Sequence, residues 1–250
     1  MGGASRAEKR RKQEAAEARL RAAGITPKAQ GGDTKRTTFI AVAVLAVVAL
    51  VVGVTVLLTR DTGEPVVPTY TATAEGGVVT AGSGPIVVDV YSDYLCPACE
   101  RFEERYGEEL TTALNNGQIT VRYHLVAILD ERSDPPGYST RAAAAALCSV
   151  PAGIFPAYHE RLFDEQPSES GAGLSDERLV AIGTELGAGG DFAACVTGEA
   201  NEDAVTAETE AAVANPALRR NGSFGTPTVT VDGALVEVND PGWLQNAITG

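Results

Sequence analysis

The stretch IVVDVYSDYLCPACE, residues 86–100, decides the fold because it places two cysteines between a strand pattern and a helix pattern. Its first six residues are a short, largely β-branched run, which is typical of a buried strand. After the cysteines, an aromatic or leucine side chain recurs every four residues, at Phe102, Tyr106, Leu110 and Leu114. That spacing gives a helix one apolar face. The sequence therefore predicts a strand that leads into a helix, with Cys96 at the N-terminal end of the helix.

This position favours a thiolate at Cys96. The first backbone N–H groups of a helix have no internal partner, and the aligned peptide dipoles place partial positive charge there. Pro97 suits the first helical position because its φ is already helical. A stabilised thiolate is a good leaving group, so we expect the Cys96–Cys99 disulfide to be reactive, as in dithiol redox proteins. The alternatives are a structural disulfide or two zinc ligands, and zinc is the weaker one because no second Cys-x-x-Cys or histidine pair exists.

Composition and charge narrow the classes of function. The chain has 250 residues, enough for one or two domains, and 44% of them are hydrophobic, enough for a core. Residues 1–36 contain ten of the twenty Lys and Arg residues and four of the thirty-three acidic ones, a net charge of +6 against −19 for the rest. The acidic remainder argues against nucleic-acid binding. Four cysteines, an even number, fit an oxidising compartment.

The N-terminal part of the sequence predicts a membrane anchor. Residues 39–58 contain no charge and are nearly all Ala, Val, Leu or Ile, the length of one bilayer span. We interpret residues 1–36 as a basic cytoplasmic tail and residues 37–59 as an uncleaved transmembrane helix, because the apolar run is longer than the core of a typical signal peptide, the alternative. Lys35 and Arg36 precede the span, so the positive-inside rule places everything after Arg60 outside the cytoplasm. The basic cluster in the tail is interpreted as an orientation signal rather than a site for anionic lipid or nucleic acid.

The rest of the chain alternates between strand and helix patterns. Residues 60–77 are predicted to be a linker, followed by a short edge strand over Val78–Thr80. Alternating apolar residues predict a strand over Ile119–Leu125, with His124 on its other face as a structural residue. From residue 130 to residue 221 strand patterns disappear and short helices replace them, at 140–150, 153–163, 176–186, 191–196 and 202–214. This segment is predicted to be a helical insert.

The insert contains the other two cysteines and the second histidine. Neither Cys148 nor Cys195 belongs to a Cys-x-x-Cys, and we predict that they form a structural disulfide across the insert rather than a second redox pair. His159 lies among helix residues and is interpreted as a packing or surface residue.

A hairpin and a helix end the chain. The sequence predicts strands over 228–231 and 234–238, joined by Asp232-Gly233, a strong hairpin signal. A final helix is predicted from Pro241, with Trp243, Leu244, Ala247 and Ile248 as its buried residues.

The motifs SDYLCPAC at 92–99 and GTPT at 225–228, with the helical insert between them, resemble the DsbA-like branch of the thioredoxin superfamily over about residues 78–248. The resemblance implies an α/β thioredoxin fold formed by residues 78–129 and 222–250, interrupted by a helical domain at 130–221. It also implies that Pro227 is cis and faces the Cys96–Cys99 pair, and that the backbone of Thr226 binds an extended substrate segment. X-Pro is the bond type in which cis costs little.

Two positions depart from the family pattern. The residues between the cysteines are Pro-Ala, where DsbA itself has Pro-His, so one group that stabilises the thiolate is missing. The family also often has a buried acid six residues before the first cysteine, and that position is Val90 here. Asp89 and Asp93 are the nearby acids, and Asp93 is our candidate for assisting proton transfer at Cys99, the alternative being a turn residue.

The sequence thus predicts a membrane-anchored, extracytoplasmic thiol:disulfide oxidoreductase that acts mainly as an oxidase on exported proteins, with Cys96 as the attacked sulfur and Cys99 as the resolving thiol. The resemblance implies reoxidation by a DsbB-like or vitamin K epoxide reductase-like membrane protein. We expect neither a cofactor nor a metal, and we expect the protein to be a monomer. The alternatives are a reductase or isomerase of the same fold, or a non-catalytic envelope binding or chaperone module.

Overall fold

The computed structural model describes residues 66–250, together with Arg11 and Glu14. The predicted tail at 1–36 therefore lies, apart from those two residues, outside the described part, as do the predicted anchor at 37–59 and the first six residues of the predicted linker. Within the described part, no helix has both the length and the apolar character needed to cross a membrane.

A six-stranded sheet forms the centre of the described region, in the order β1-β2-β4-β3-β5-β6. The strands are β1 (Ala72–Glu75), β2 (Val78–Gly82), β3 (Ile86–Ser92), β4 (Ile119–Leu125), β5 (Thr228–Val231) and β6 (Ala234–Leu235). Strands β3 and β4 are parallel and are connected by helix α1 (Pro97–Asn115), while every other pairing is antiparallel. This α/β arrangement is the thioredoxin-like sheet that the sequence predicts, and β3 and β4 lie at its centre because both are rich in apolar residues.

The interpretation of residues 60–77 as linker is wrong for Ala72–Glu75, which form strand β1. This strand pairs with β2 through Gly76-Gly77, a two-residue turn in which Gly76 has φ +56°. Glycine tolerates that conformation, and Gly-Gly is a favoured hairpin turn. Strand β2 is therefore an inner strand rather than the predicted edge strand. The signal was missed because most of β1 is exposed and its residues are alanine, threonine and glutamate, so no apolar alternation marks it.

Helices fill residues 130–221, as predicted. They are α2 (Tyr138–Ser149), α3 (Phe155–Asp164), α4 (Asp176–Glu185), α5 (Phe192–Thr197) and α6 (Glu202–Ala214). Helix α2 lies at the centre of the insert and packs against the four others, since its run of small alanines lets them approach closely. Ser175 caps α4 by accepting a hydrogen bond from the backbone N–H of Arg178.

The C-terminal elements are shorter than predicted. Strand β6 ends at Leu235 rather than Val238: the backbone N–H of Val236 still donates to the carbonyl of Val229, but the carbonyl of Val236 is bound by the guanidinium of Arg220. The last helix, α7 (Trp243–Thr249), begins two residues after Pro241. Trp243 is buried against Phe102 and Tyr106 of α1, which holds α7 against the helix that carries the cysteines.

Candidate active site

Helix α1 presents Cys96 at its N-terminus, as the sequence predicts. Cys96 is the N-cap residue, with extended backbone, and its carbonyl oxygen accepts hydrogen bonds from the backbone N–H groups of Cys99 and Glu100 at 2.9 and 3.2 Å. Both cysteines are free thiols. Cys96 retains 6% of its surface exposed, whereas Cys99, one turn further along the helix, retains none. Of the two sulfurs, Cys96 is thus the one within reach of another molecule.

The surroundings separate the acidities of the two thiols. The pKa of Cys96 is lowered to about 6, first by the hydrogen bond from the Cys99 thiol and then by Thr226 and the backbone N–H groups of Cys99 and Ala98, which together outweigh burial. Burial raises the pKa of Cys99 well above its ordinary value, and the neighbouring Cys96 adds to the shift. The negative charge of the reduced pair therefore resides on Cys96.

The loop before β5 completes the site from the other side. The Thr226–Pro227 peptide bond is cis, and Cys96, when protonated, donates a hydrogen bond from its thiol to the carbonyl oxygen of Thr226 at 3.4 Å. Strand β5 brings the loop here because Thr228 pairs with Tyr91 near the end of β3. Thr226 and Pro227 are half-buried, so both remain accessible beside Cys96.

Asp93 lies fully buried shortly before the cysteines. Its Oδ1 accepts hydrogen bonds from the backbone N–H of Leu95 at 2.8 Å and from the hydroxyl of Ser139 at 2.7 Å, and its Oδ2 accepts one from the backbone N–H of Leu129 at 2.9 Å. Burial, with a smaller contribution from the charge on Cys96, raises the pKa of Asp93 to about 6 against these hydrogen bonds. This carboxyl is thus poised to exchange a proton near neutral pH.

Asp89 belongs to a different cluster. Its carboxylate accepts hydrogen bonds from Arg122 at 2.5 Å and from Thr230 at 2.8 Å, and its Oδ1 lies 3.1 Å from His124 Nε2. The Nδ1 of His124 lies 2.6 Å from Glu208 of α6. Of the two nearby acids, Asp93 is therefore the one beside the cysteines, and His124 is bound in an ionic network between the sheet and the insert.

The insert contributes two residues that the sequence reasoning missed. Gln166, just after α3, donates a hydrogen bond from Nε2 to the carbonyl oxygen of Cys96 at 3.2 Å. Ser139 of α2 binds Asp93. No local motif marks either residue, because both contacts arise only when the insert packs over the cysteines.

The other two cysteines form a disulfide that joins α2 to α5. The Cα atoms of Cys148 and Cys195 are 5.9 Å apart. In the described part of the chain, no group of three or more His, Cys, Asp or Glu residues has the arrangement of a metal site.

Comparison with known proteins identifies the family. Residues 77–249 match the family model described as thioredoxin. The chain is 31% identical to oxidised DsbA of Mycobacterium tuberculosis, covering 72% of this chain and 90% of that one with a TM-score of 0.59. It is also 31% identical to reduced DsbG, a disulfide bond oxidoreductase of the same organism, over 72% of this chain and 86% of that one, with a TM-score of 0.58.

Two further relatives were found, one that shares the fold and one that is much longer than this chain. MdbA of Corynebacterium diphtheriae, a thiol-disulfide oxidoreductase, shares 23% identity over 76% of this chain and 98% of that one, with a TM-score of 0.64, and shows the fold alone. The serine/threonine-protein kinase PknE of M. tuberculosis is 32% identical over 180 residues, 70% of this chain, but the chain spans only 31% of the kinase. From the matched domain, the cysteine geometry and the helical insert, it follows that the chain belongs to the thioredoxin family, with DsbA-type proteins among its structural neighbours.

Proposed function

We propose that this thiol:disulfide oxidoreductase acts mainly as an oxidase, which transfers the Cys96–Cys99 disulfide to pairs of thiols in exported proteins. The observation that carries the proposal is the lowered pKa of Cys96 beside a buried Cys99. A stabilised Cys96 thiolate favours the reduced enzyme, so the oxidised enzyme gives up its disulfide readily. The DsbA and DsbG structures, both near 30% identity, support this chemistry.

The reaction balances in two exchange steps. A substrate thiolate attacks Cys96 Sγ of the enzyme disulfide, a mixed disulfide forms, and the electron pair of the broken bond leaves on Cys99. Because its pKa is raised, Cys99 takes up a proton, and the buried Asp93 carboxyl is our candidate for its donor. A second substrate thiolate then attacks the substrate sulfur, and Cys96 departs as a thiolate. The substrate loses two electrons, and the enzyme ends as a dithiol.

We place the catalytic domain outside the cytoplasm on a single anchor at residues 37–59. The twenty uncharged residues with Lys35 and Arg36 before them support this topology, and the Cys148–Cys195 disulfide is typical of an oxidising compartment. Reoxidation is then assigned to a membrane protein of the DsbB-like or vitamin K epoxide reductase-like kind. Protease treatment of intact spheroplasts tests the topology, because loss of the N-terminal tail with survival of the C-terminal part would overturn it.

Trapping separates the enzyme from a binding module. In cells, Cys99→Ala should accumulate mixed disulfides formed when the Cys96 thiolate attacks a substrate disulfide, because the Cys99 thiol that would release Cys96 is gone, whereas a chaperone whose cysteines are passive would accumulate none. The reduction potential of the Cys96–Cys99 pair then separates oxidase from reductase. A potential as low as that of a typical cytosolic reductant, about −270 mV, would contradict the oxidase assignment.

A further inference from the structure

A cavity of 410 Å³ lies between helices α1 and α3 and the segment that precedes β1. Six carboxylates line it, and neither lysine nor arginine does; the acids are Glu100, Glu103, Glu104, Glu108, Glu160 and Asp164. The cavity therefore carries a concentrated negative charge, in a volume that suits a small ligand or a side chain.

These carboxylates, four on α1 and two on α3, differ from the acids around α4. Glu165 and Glu185 are each paired with Arg178, and Asp176 is paired with Arg141. Among the described residues, by contrast, none of the six cavity acids lies within ion-pair distance of an arginine. The described arginines pair with the acids around α4 but not with those of the cavity, where the imidazole of His159, beside Glu103, is the one described basic group within ion-pair distance of an acid.

A buried histidine supplies an independent indication of a ligand. His159 is only 5% exposed, and its Nδ1 is held by the hydroxyl of Tyr94 at 2.7 Å. Its Nε2 points the opposite way, toward Glu103 Oε1 at 3.3 Å in the cavity wall; the two atoms are within ion-pair distance but are not aligned for a hydrogen bond, and within the described structure neither has another partner. Buried polar atoms of this kind are rare because their desolvation is not repaid. A ligand that donates hydrogen bonds would satisfy Glu103.

The chemistry of the walls favours an organic cation over a metal ion. No metal-type cluster of His, Cys, Asp or Glu occurs in the described residues. Instead, the aromatic rings of Tyr70, Tyr123 and Phe163 line the cavity beside the carboxylates. Carboxylates hold the charge of a guanidinium or ammonium group, and ring faces hold its flat or apolar part.

We propose that this cavity binds a lysine or arginine side chain of the polypeptide whose cysteine reacts at Cys96. The inference rests on the proposed function. Glu100, Glu104 and Glu108 follow Cys96 at intervals of four residues, so they lie along one face of α1, about 6 to 18 Å from Cys96 at 1.5 Å per residue. An extended substrate covers that span in about two to five residues. The enzyme thus selects cysteines that have a basic residue at this separation.

The test uses two reduced peptides, each with two cysteines, that differ only in arginine or glutamine four residues from the first cysteine. Oxidation of each is followed with the intact protein, reoxidised after each turnover by added glutathione disulfide, in three forms: wild type, Glu104→Gln with Glu108→Gln, and the control Glu109→Gln with Glu210→Gln. Both pairs of changes remove two negative charges, but the control residues lie outside the cavity. Glu104 and Glu108 are exposed, so neither change removes core packing.

We expect the wild type and the control to have about a fivefold lower KM for the arginine peptide, with kcat unchanged, and the cavity variant to lose that preference. Equal KM values for the two peptides in the wild type, or a preference that survives in the cavity variant, would overturn the inference while leaving the oxidase intact. Failure to oxidise either peptide would instead overturn the proposed function. Tight binding of calcium chloride alone that is lost in the cavity variant would show a metal site and also overturn the inference.

Discussion

When protonated, the thiol of Cys96 donates its hydrogen bond to the carbonyl oxygen of Thr226, 130 residues further along the chain. This contact joins the two motifs on which the resemblance to DsbA-like proteins depends. Because the Cys96–Thr226 contact crosses from helix α1 to the loop before β5, the helical insert between them must close back on the sheet before the site exists. The site is therefore a product of the whole fold rather than of the local Cys-x-x-Cys sequence.

The first prediction concerns the ionisation of Cys96. In the reduced protein, alkylation by iodoacetamide should follow a titration with its midpoint near pH 6, since the pKa of Cys96 is lowered to about 6 from an ordinary value of 9.0. Cys99→Ala should raise the midpoint toward 9.0, because the hydrogen bond from the Cys99 thiol is the largest cause of the lowering. The rate constant measured against pH checks both statements.

Cys99→Ser is the matched control for this experiment, since serine keeps a hydroxyl donor at the same position. Its midpoint should remain much closer to that of the wild type than the midpoint of Cys99→Ala. A wild-type midpoint close to 9.0 would contradict the reactive disulfide on which the oxidase assignment depends.

The second prediction concerns the buried carboxyl of Asp93. Burial raises its pKa from 3.8 to about 6, so the folded protein favours the protonated form. This contribution to stability is fully present below pH 3.8 and is lost as the pH rises through about 6. The amide introduced by Asp93→Asn cannot titrate, so the stability of the wild type relative to that variant should fall by about 3 kcal/mol between pH 4 and pH 7. Urea unfolding of both reduced proteins across this range measures the difference.

Reactivity distinguishes a proton-transfer role of Asp93 from a structural one. If Asp93 exchanges a proton with Cys99, Asp93→Asn should change the pH profile of Cys99 reactivity in the mixed disulfide, not merely its magnitude. Ser139→Ala is the useful comparison, because it removes one hydrogen bond to Asp93 and leaves the carboxyl in place. An unchanged profile in Asp93→Asn would assign this residue to the turn alone.

Periodicity explains which parts of the fold were predictable. Strand β4 occupies Ile119–Leu125 and helix α6 occupies Glu202–Ala214, as their residue patterns predict, because β4 alternates strictly and α6 is an uninterrupted run without glycine or proline. Strand β1 was missed, since an exposed strand of small and polar residues has no such alternation. The pattern of a single element reports burial, and an element that buries little gives little signal.

The residues of the site also fall into those that the sequence predicts and those that it does not. The cysteines and Thr226-Pro227 stand in recognisable motifs, so their roles could be anticipated from local sequence. Ser139 and Gln166 stand in none, and their contacts with Asp93 and Cys96 depend on how the insert packs against the sheet. Packing of that kind is decided by many side chains together, which no short stretch of sequence records.

The third prediction concerns the ionic contact between sheet and insert. Burial alone would lower the pKa of His124, but Asp89 and Glu208 outweigh it and raise the pKa. The protonated imidazole therefore bridges β4 and α6. The stability gained by protonating His124 in the folded protein is fully present below 6.5, the pKa of histidine in the unfolded chain, and is lost as the pH rises through the higher pKa of the folded protein. Glu208→Gln should destabilise the protein by about 2 kcal/mol below pH 6 and by less at alkaline pH.

Glu210→Gln, an exposed change on the same helix, is the control and should have little effect at either pH. The chain has only two histidines, so NMR titration can follow His124 directly. A His124 pKa that does not fall in Glu208→Gln would show that Glu208 does not hold the imidazole.

The fourth prediction concerns the disulfide between α2 and α5. Cys148 and Cys195 are 47 residues apart, and closing a loop of that length restricts the unfolded chain by about 4 kcal/mol on the loop-entropy model. Replacing both with alanine should lower the free energy of unfolding by up to that amount while leaving the alkylation midpoint of Cys96 unchanged. Urea unfolding and the iodoacetamide titration measure the two effects, and non-reducing peptide mapping checks the bond in the wild type.

The loss should be concentrated around α5. That helix has six residues, too few to be stable alone, and Phe192 is its one buried side chain. Phe192 is held against Gly183 of α4, where any larger side chain would collide with its ring. Its ring also contacts Tyr158 of α3. Without the disulfide, one buried side chain and the packing against α2 and α4 must hold the helix, so amide hydrogens of Phe192–Thr197 should exchange much faster while the exchange rates of those in β3 and β4 change little. Uniform acceleration across the sheet would instead mean that the disulfide stabilises the domain as a whole.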